Sequence, residues 1–301
     1  MTKNIIHTTI ILVIFIYIAN SLFNRKDITK ETLHGKIEEN NKSDGSHVAE
    51  RSAKLLDHLS KICSAFNISK QITGYNLQHI HFDHQHKLLY CYVPKVIVRN
   101  TKESFHMWMK LCPRVKKDSY ERLDVHTRLP KLNHYTAHLN DILKSYKKFM
   151  FVRNPFNRVL SAYKDKLLKD DKKSLYNFHK EIGAKIQKKY RGYSSGGHDV
   201  TFPEFISFIS EDSEVQTREQ KNEHWISVHD ICNPCGIQYD FIGKYEHLDE
   251  DAQYALNWMG VADIIPKFPE SDQPMHTKHY DPIYFNQLNR KIKKYFFGQI
   301  P

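Results

Sequence analysis

Two short apolar runs, each followed by a turn and then a helical pattern, constrain the fold of this 301-residue chain more than any other feature. The runs are LLYCYV at 88–93 and KFMFV at 148–152, and a third at 239–243 precedes a helical pattern at 248–259. Short apolar runs bounded by turn residues predict buried strands. Because these strands alternate with helices, the sequence predicts an α/β fold with a mostly parallel sheet.

The turns after the first two predicted strands both carry basic residues. Lys95 follows the first strand, and Arg153 follows the second, just before a helix predicted over 155–168. Ligands of parallel sheets bind at the carboxyl ends of the strands, where helix N-termini attract phosphate. A lysine and an arginine at two such turns could therefore clamp two phosphate groups of one ligand. The alternative is that these charges only cap exposed loops.

The charge balance points to an acidic partner. The chain has 45 Lys and Arg against 34 Asp and Glu, a net charge of +11, together with 19 His. This excess suits nucleic acid, a phosphorylated cofactor, an anionic polysaccharide or a membrane surface. We expect no nucleic-acid partner, because no recognised nucleic-acid-binding motif accompanies the charge. A nucleotide kinase is disfavoured, because the pattern Gly-x-x-x-x-Gly-Lys-Ser/Thr is absent.

The N-terminal segment predicts a membrane anchor. Residues 5–23 contain no Asp, Glu, Lys or Arg, and about 20 apolar residues span a bilayer as a helix. We therefore predict a cytoplasmic tail at 1–4, a transmembrane signal anchor at 5–23, a flexible stem at 24–70 and one domain at 71–301. A cleaved signal peptide and a buried soluble helix are the alternatives. Glycosylation acceptor patterns at Asn41 and Asn67 favour a lumenal body.

The five cysteines allow two disulfides with one thiol left over, or a set of buried reduced thiols. Cys232-Asn233-Pro234-Cys235 also invites a zinc interpretation. A structural zinc site usually needs four ligands. We therefore expect no metal here, and a disulfide that involves one or both of these cysteines in an oxidising lumen.

The sequence around the basic turns resembles the Golgi carbohydrate sulfotransferases, in particular the chondroitin 4-, dermatan 4- and HNK-1-type group. Val93-Pro94-Lys95-Val96 with Asn100 resembles the 5′-phosphosulfate loop of that family, and KFMFVRNPFNRVLSAYKDKL at 148–167 resembles its 3′-phosphate motif. The blocks Glu-His-Trp at 223–225, the Cys-x-x-Cys at 232–235 and YDFIGKYE at 239–246 follow in the family's order. The resemblance covers residues 88–262.

The resemblance implies an enzyme with a P-loop-like three-layer fold. This enzyme would transfer a sulfuryl group from 3′-phosphoadenylyl sulfate (PAPS) to a hydroxyl of a chondroitin- or dermatan-like or other glycan. It implies a type II Golgi membrane protein with a lumenal catalytic domain. The residues it assigns to the donor are Pro94, Lys95, Val96, Arg99, Asn100, Thr101, Arg153, Arg158 and Ser161. Lys95 would also be catalytic, because a fixed cation near the bridging oxygen stabilises the charge that develops in the transition state.

A histidine is expected to act as the general base, because its ordinary pKa of about 6.5 lies near lumenal pH. The candidates between the two phosphate motifs are His126, His134 and His138. His126 matches the family position upstream of a Leu-Asn-x-Tyr-like segment, and His224 is the alternative.

A catalytically impaired protein that binds anionic glycans is the alternative function. In this chain bulky residues occupy 97–99, where the family usually has small or hydroxyl ones, and Thr101 stands where a Trp is common.

Overall fold

The computed structural model describes residues 45–96, 130–134, 136–168, 178–211, 220–268 and 281–288. The described residues form two compact units. The sheet unit contains those of 45–153 and 228–268, and the helical unit contains those of 154–227 and 281–288. The single domain predicted over 71–301 stays a prediction.

The sheet unit contains a mixed four-stranded sheet. Its strands are β1 (Ile80–Asp83), β2 (Leu88–Cys91), β3 (Lys147–Val152) and β4 (Phe241–Lys244), in the order β1-β2-β3-β4. β2, β3 and β4 are parallel, and β1 pairs antiparallel with β2. The predicted α/β class with a mostly parallel sheet is confirmed, whereas the hairpin partner β1 was not expected. The P-loop-like three-layer arrangement stays a prediction.

The helices of this unit lie before, between and after the strands. They are α1 (Ser46–Ala65), α2 (Gly74–Leu77), α3 (Leu139–Ser145), α7 (Val228–Cys232) and α8 (Leu248–Met259), with 3-10 turns at Leu132–His134, Thr136–His138 and Tyr245–His247. The predicted helix at 248–259 is confirmed. Its Tyr254 and Trp258 rings pack against Phe241 of β4, at centroid distances of 5.6 and 5.8 Å.

Helix α1 lies within the segment predicted to be a flexible stem. Its buried Val48, Leu55 and Ile62 recur every seven residues, which gives the helix one apolar face. The Ile242 N–H, on the edge strand β4, donates to Ser52 Oγ at 2.9 Å. The folded part therefore starts before the predicted boundary at residue 71, because an amphipathic helix covers the sheet edge.

Two disulfides join the Cys-x-x-Cys turn to distant elements. Cys235 is bonded to Cys63 of α1, and Cys232 is bonded to Cys91 at the end of β2. The expected disulfide at this motif is confirmed, with both of its cysteines used. The fifth cysteine, Cys112, lies outside the described residues. No group of three or more His, Cys, Asp or Glu within the described ranges could hold a metal ion.

The helical unit is built around aromatic side chains. Its elements are α4 (Pro155–Tyr163), π-helical turns at Lys164–Leu168 and Phe178–Gly183, α5 (Ala184–Arg191), α6 (Phe202–Ile209) and α9 (Pro282–Phe285). Its core contains Leu160, Phe205, Trp225 and Phe285, all buried. The amphipathic pattern at 202–209 predicts a short helix, and the sequence favours a core position for Trp225; both predictions are confirmed.

Some predicted elements fall where the structure gives no description. The sequence pattern also predicts helices at 101–111 and 284–297. The first of these segments and most of the second lie outside the described residues, as do the predicted anchor at 5–23 and Asn41. None of the helices in the described part of the chain is both long enough and apolar enough to span a membrane.

Candidate active site

The turn that follows β2 holds Lys95 in an unusual backbone conformation. The Val96 N–H donates to the Val93 carbonyl oxygen at 3.3 Å, which places Pro94 and Lys95 at the two central positions of a tight turn. Lys95 has a φ of +70°. Proline followed by a residue with positive φ is typical of a type II turn, which normally has glycine at the second position. A left-handed conformation costs a residue with a Cβ about 1–2 kcal/mol. Lysine is therefore less favourable than glycine at this position of the turn.

Arg153, directly after β3, fixes this turn. Its Nη1 donates to the Lys95 carbonyl oxygen at 3.0 Å, and its guanidinium carbon lies 4.3 Å from the centroid of the Tyr245 ring. Burial lowers the pKa of Arg153, whereas nearby Tyr245 and Glu246 act in the opposite direction. A guanidinium nevertheless stays charged at neutral pH. Burial also raises the pKa of Tyr245, so its hydroxyl stays protonated.

The third parallel strand brings one more buried cation to the same edge of the sheet. Lys244, the last residue of β4, is the register partner of Val152, the residue before Arg153. Lys95, Arg153 and Lys244 are each about 5% exposed. Buried charges are unfavourable unless opposite charges accompany them. Glu246 lies near Arg153, and the buried Asp251 carboxylate accepts from the Lys244 N–H at 2.7 Å. A group of three buried cations at one edge of the sheet suits a ligand that carries several phosphate charges.

The start of helix α4 is capped by its own chain. Asn154 Oδ1 accepts hydrogen bonds from the Phe156 and Asn157 N–H groups, at 3.0 and 3.2 Å. Pro155 occupies the first turn, as predicted. The capping side chain already satisfies two of the helix-terminal donors that the sequence suggested for phosphate binding.

Two predicted donor-binding residues lie on α4. The buried Arg158 donates through Nη1 to the Ile226 carbonyl oxygen at 2.6 Å and through Nη2 to that of Glu223 at 2.8 Å. These bonds fix the segment that carries His224 and Trp225. Ser161 is half-buried one turn further along. Contact of either residue with the donor stays a prediction.

The sulfotransferase family profile matches residues 78–299 of the chain. The chain belongs to the sulfotransferase family. Carbohydrate sulfotransferase 11 of the rat is 41% identical over 209 residues, which are 66% of this chain and 57% of that protein. Carbohydrate sulfotransferase 11 of the zebrafish is 37% identical over 247 residues, 77% of this chain and 68% of that protein. Human carbohydrate sulfotransferase 14 is 36% identical over 189 residues, 61% of this chain and 47% of that protein.

These matches confirm, at the level of the family, the resemblance found in the sequence. The match covers somewhat more than half of the length of the first relatives, the rat and mouse proteins. No solved structure matches this chain.

The structure brings some of the predicted site residues together. Pro94, Lys95, Val96 and Arg153 form one buried group in the sheet unit. The other predicted donor residues Arg99, Asn100 and Thr101, and the predicted base His126, lie outside the described residues.

The remaining histidine candidates differ in their surroundings. His134 and His138 are exposed in the sheet unit. His224 is half-buried in the helical unit, with its ring centroid 5.7 Å from that of Phe178. None of these contacts assigns a base.

Sequence reasoning gave no site role to Lys244 or Tyr245. Their position could have indicated such a role, because both lie in the block FIGKYE, directly after a predicted strand, as Arg153 does. A tyrosine after a strand is more often a packing residue, and only the ring position over Arg153 reveals its part in the site.

Proposed function

We propose that this protein is a PAPS-dependent carbohydrate O-sulfotransferase. It transfers a sulfuryl group to a hydroxyl of a glycan that contains N-acetylhexosamine or uronate. The observation that carries the proposal is the group of buried cations, Lys95, Arg153 and Lys244, at the carboxyl edge of a parallel sheet in a chain of the sulfotransferase family. The names of the relatives, carbohydrate sulfotransferases, support a glycan as the acceptor.

The donor supplies an activated sulfuryl group on a phosphosulfate and a second phosphate on its ribose. Arg153 presents a fork of N–H donors to phosphate oxygens, and the Tyr245 ring keeps the guanidinium plane in place. The Lys95 ammonium stabilises negative charge on the oxygen that leaves the sulfur. A histidine accepts the proton of the acceptor hydroxyl as that oxygen attacks.

A direct assay tests this function. The purified protein is incubated with sulfur-labelled PAPS and a panel of desulfated glycans, and labelled glycan and the spent 3′,5′-bisphosphate are measured. We expect label to enter at least one glycan that contains hexosamine or uronate. Retention of a glycan with no transfer to any acceptor would instead support the catalytically impaired alternative.

Arg153→Ala should weaken the binding of the 3′,5′-bisphosphate product by about tenfold or more, because a charge-assisted hydrogen bond contributes about 1.5–3 kcal/mol. Arg153→Lys keeps the charge but loses the fork and the stacking on Tyr245, so its affinity should be intermediate. Isothermal titration calorimetry measures both. If Arg153→Ala binds the bisphosphate as tightly as the unchanged protein does, Arg153 is not a donor-binding residue.

His126→Ala should lower kcat by about 10²-fold or more, with nearly unchanged nucleotide affinity, which is the usual effect of losing a positioned base. Steady-state kinetics with the glycan that proves active, together with calorimetry, measure the two quantities. His224→Ala is the comparison variant. Full turnover in His126→Ala alongside an inactive His224→Ala would transfer the role to His224.

For localisation, we propose a type II Golgi membrane protein with its body in the lumen. Asn67, the acceptor of the second glycosylation pattern, is exposed at the end of α1. In sealed microsomes the body should resist protease, and endoglycosidase should increase its gel mobility. Asn67→Gln and Asn41→Gln identify the modified site. A protease-sensitive body without glycan would exclude a lumenal orientation.

A further inference from the structure

The end of α5 and the loop after it form an exposed surface. Tyr193 is 64% exposed, and Lys185, Lys188, Ser194 and Ser195 are also exposed. We call these five residues the Tyr193 surface. It belongs to the helical unit and includes none of the residues assigned above to the donor site.

The loop at 192–199 is held in place by one buried side chain. Gln187 is 0% exposed, and its Oε1 accepts from Ser194 Oγ and from the Ser195 and Gly197 N–H groups, each at 2.9 Å. Its Nε2 donates to Asp199. A buried amide that bonds the backbone of a loop at several points fixes the loop conformation.

Glycine is required where this loop packs most closely. Gly197 has a φ of +82°, and a Cβ at this position would lie 1.9 Å from the His179 carbonyl oxygen. Arg191 bonds the far end of the loop, donating to Asp199 Oδ2 at 2.9 Å and to its carbonyl oxygen at 2.8 Å. The backbone that carries Tyr193 is therefore ordered before any ligand binds.

The basic residues at the end of α5 differ in whether they form ion pairs. Lys189 is paired with Glu211, and Arg191 is paired with Glu204. Lys188, by contrast, makes no ion pair with any residue in the described part of the chain, and the Gly192 N–H donates to its carbonyl oxygen at 3.0 Å. An available ammonium thus lies in the last turn of α5, five residues before the exposed Tyr193.

A fixed aromatic ring and an available cation suit a particular ligand. The C–H face of a sugar ring packs on an aromatic side chain, and an ammonium pairs with a carboxylate. The Ser194 and Ser195 hydroxyls already donate within the loop, to Gln187 and Asp199, and so serve to fix it. An ordered loop loses little further conformational entropy when it binds. We infer that the Tyr193 surface binds the uronate-containing glycan chain that serves as acceptor, an inference that rests on the proposed function.

The test uses the whole protein without donor, so that binding is separated from catalysis. Immobilised unsulfated chondroitin is the probe, and biosensor measurements give the dissociation constant. We expect Tyr193→Ala to weaken binding about 5–10-fold, the usual loss at an aromatic contact residue, and Tyr193→Phe to bind normally. Lys188→Ala should weaken binding about 2–5-fold, and more so at low salt.

Lys61→Ala is the matched control, since it removes a lysine that is 71% exposed on α1 of the sheet unit. It should not change chondroitin binding. Thermal unfolding confirms that each variant is folded. In turnover, Tyr193→Ala should raise the KM for polymeric acceptor about as much as it raises the dissociation constant, with the KM for PAPS unchanged.

The two proposals fail in different ways. If Tyr193→Ala and Lys188→Ala bind chondroitin as tightly as the unchanged protein, the Tyr193 surface is not a glycan site, whether or not sulfate is transferred. Absence of chondroitin binding by the unchanged protein also overturns it. If the variants lose binding while the unchanged protein transfers no sulfate, the surface stands and the proposed catalysis fails.

Discussion

Lys95→Ala should lower kcat by about 10²–10³-fold, the loss that follows removal of one group that stabilises transition-state charge. The ammonium acts on the leaving oxygen as its bond to sulfur breaks, so the effect should fall mainly on kcat rather than on acceptor KM. Steady-state kinetics at saturating PAPS measure it. Turnover within tenfold of that of the unchanged protein would show that Lys95 is not catalytic.

Lys95→Gly separates the charge from the backbone conformation. Glycine accepts the positive φ of this turn at no steric penalty, so this variant should be at least as stable as Lys95→Ala. If the ammonium is the active group, both variants should be equally inactive. If the glycine variant regains turnover, the loss in Lys95→Ala comes from a distorted turn.

Removal of the Cys63–Cys235 disulfide should lower the free energy of unfolding by about 2–5 kcal/mol, since a native cross-link restricts the unfolded chain. The effect should lie near the middle of this range, because the remaining Cys91–Cys232 bond shortens the loop closed by Cys63–Cys235 from 172 residues to about 31, counted from 63 to 91 and from 232 to 235. Urea unfolding of the Cys63→Ala/Cys235→Ala double variant measures it. Removing both cysteines avoids a free thiol that could exchange with the Cys91–Cys232 bond.

Cys112→Ala is the control for this experiment. Cys112 is the one cysteine that takes part in neither disulfide, so its replacement should change the unfolding free energy much less. Equal destabilisation by Cys112→Ala and by the double variant would contradict the entropic explanation. An unchanged urea midpoint in the double variant would show that α1 is held to the sheet by packing alone.

The sequence predicted those parts of the fold that have a local signal. β2 and β3 are continuous apolar runs, and α8 begins with Asp249, Glu250 and Asp251, which the helix dipole favours. β1 was missed because its sequence IHFD has two polar residues, which are nevertheless buried. Its strand conformation depends on pairing with β2, a tertiary contact that a four-residue segment does not reveal.

The candidate site was predictable to the same extent. Lys95 and Arg153 could be chosen because each lies in the turn after a predicted strand. The left-handed backbone of Lys95 could not be predicted, because only the structure shows the Val93–Val96 turn and the hydrogen bond from Arg153. The contacts of Arg158 could not be predicted from the sequence either, because its carbonyl partners at 223 and 226 are more than 60 residues further along the chain.

The positions of the two disulfides in the sequence also determine when the native disulfide pairs can form during synthesis. Cys63 and Cys91 leave the ribosome 172 and 141 residues before their partners. At about 5–20 residues per second, their thiols wait roughly 10–30 s, with Cys112 available as a wrong partner. Early oxidation would then cross-link Cys63, Cys91 and Cys112 among themselves. We expect the yield of native protein to depend on thiol–disulfide exchange after synthesis, and so on the isomerase supply of the compartment in which it folds.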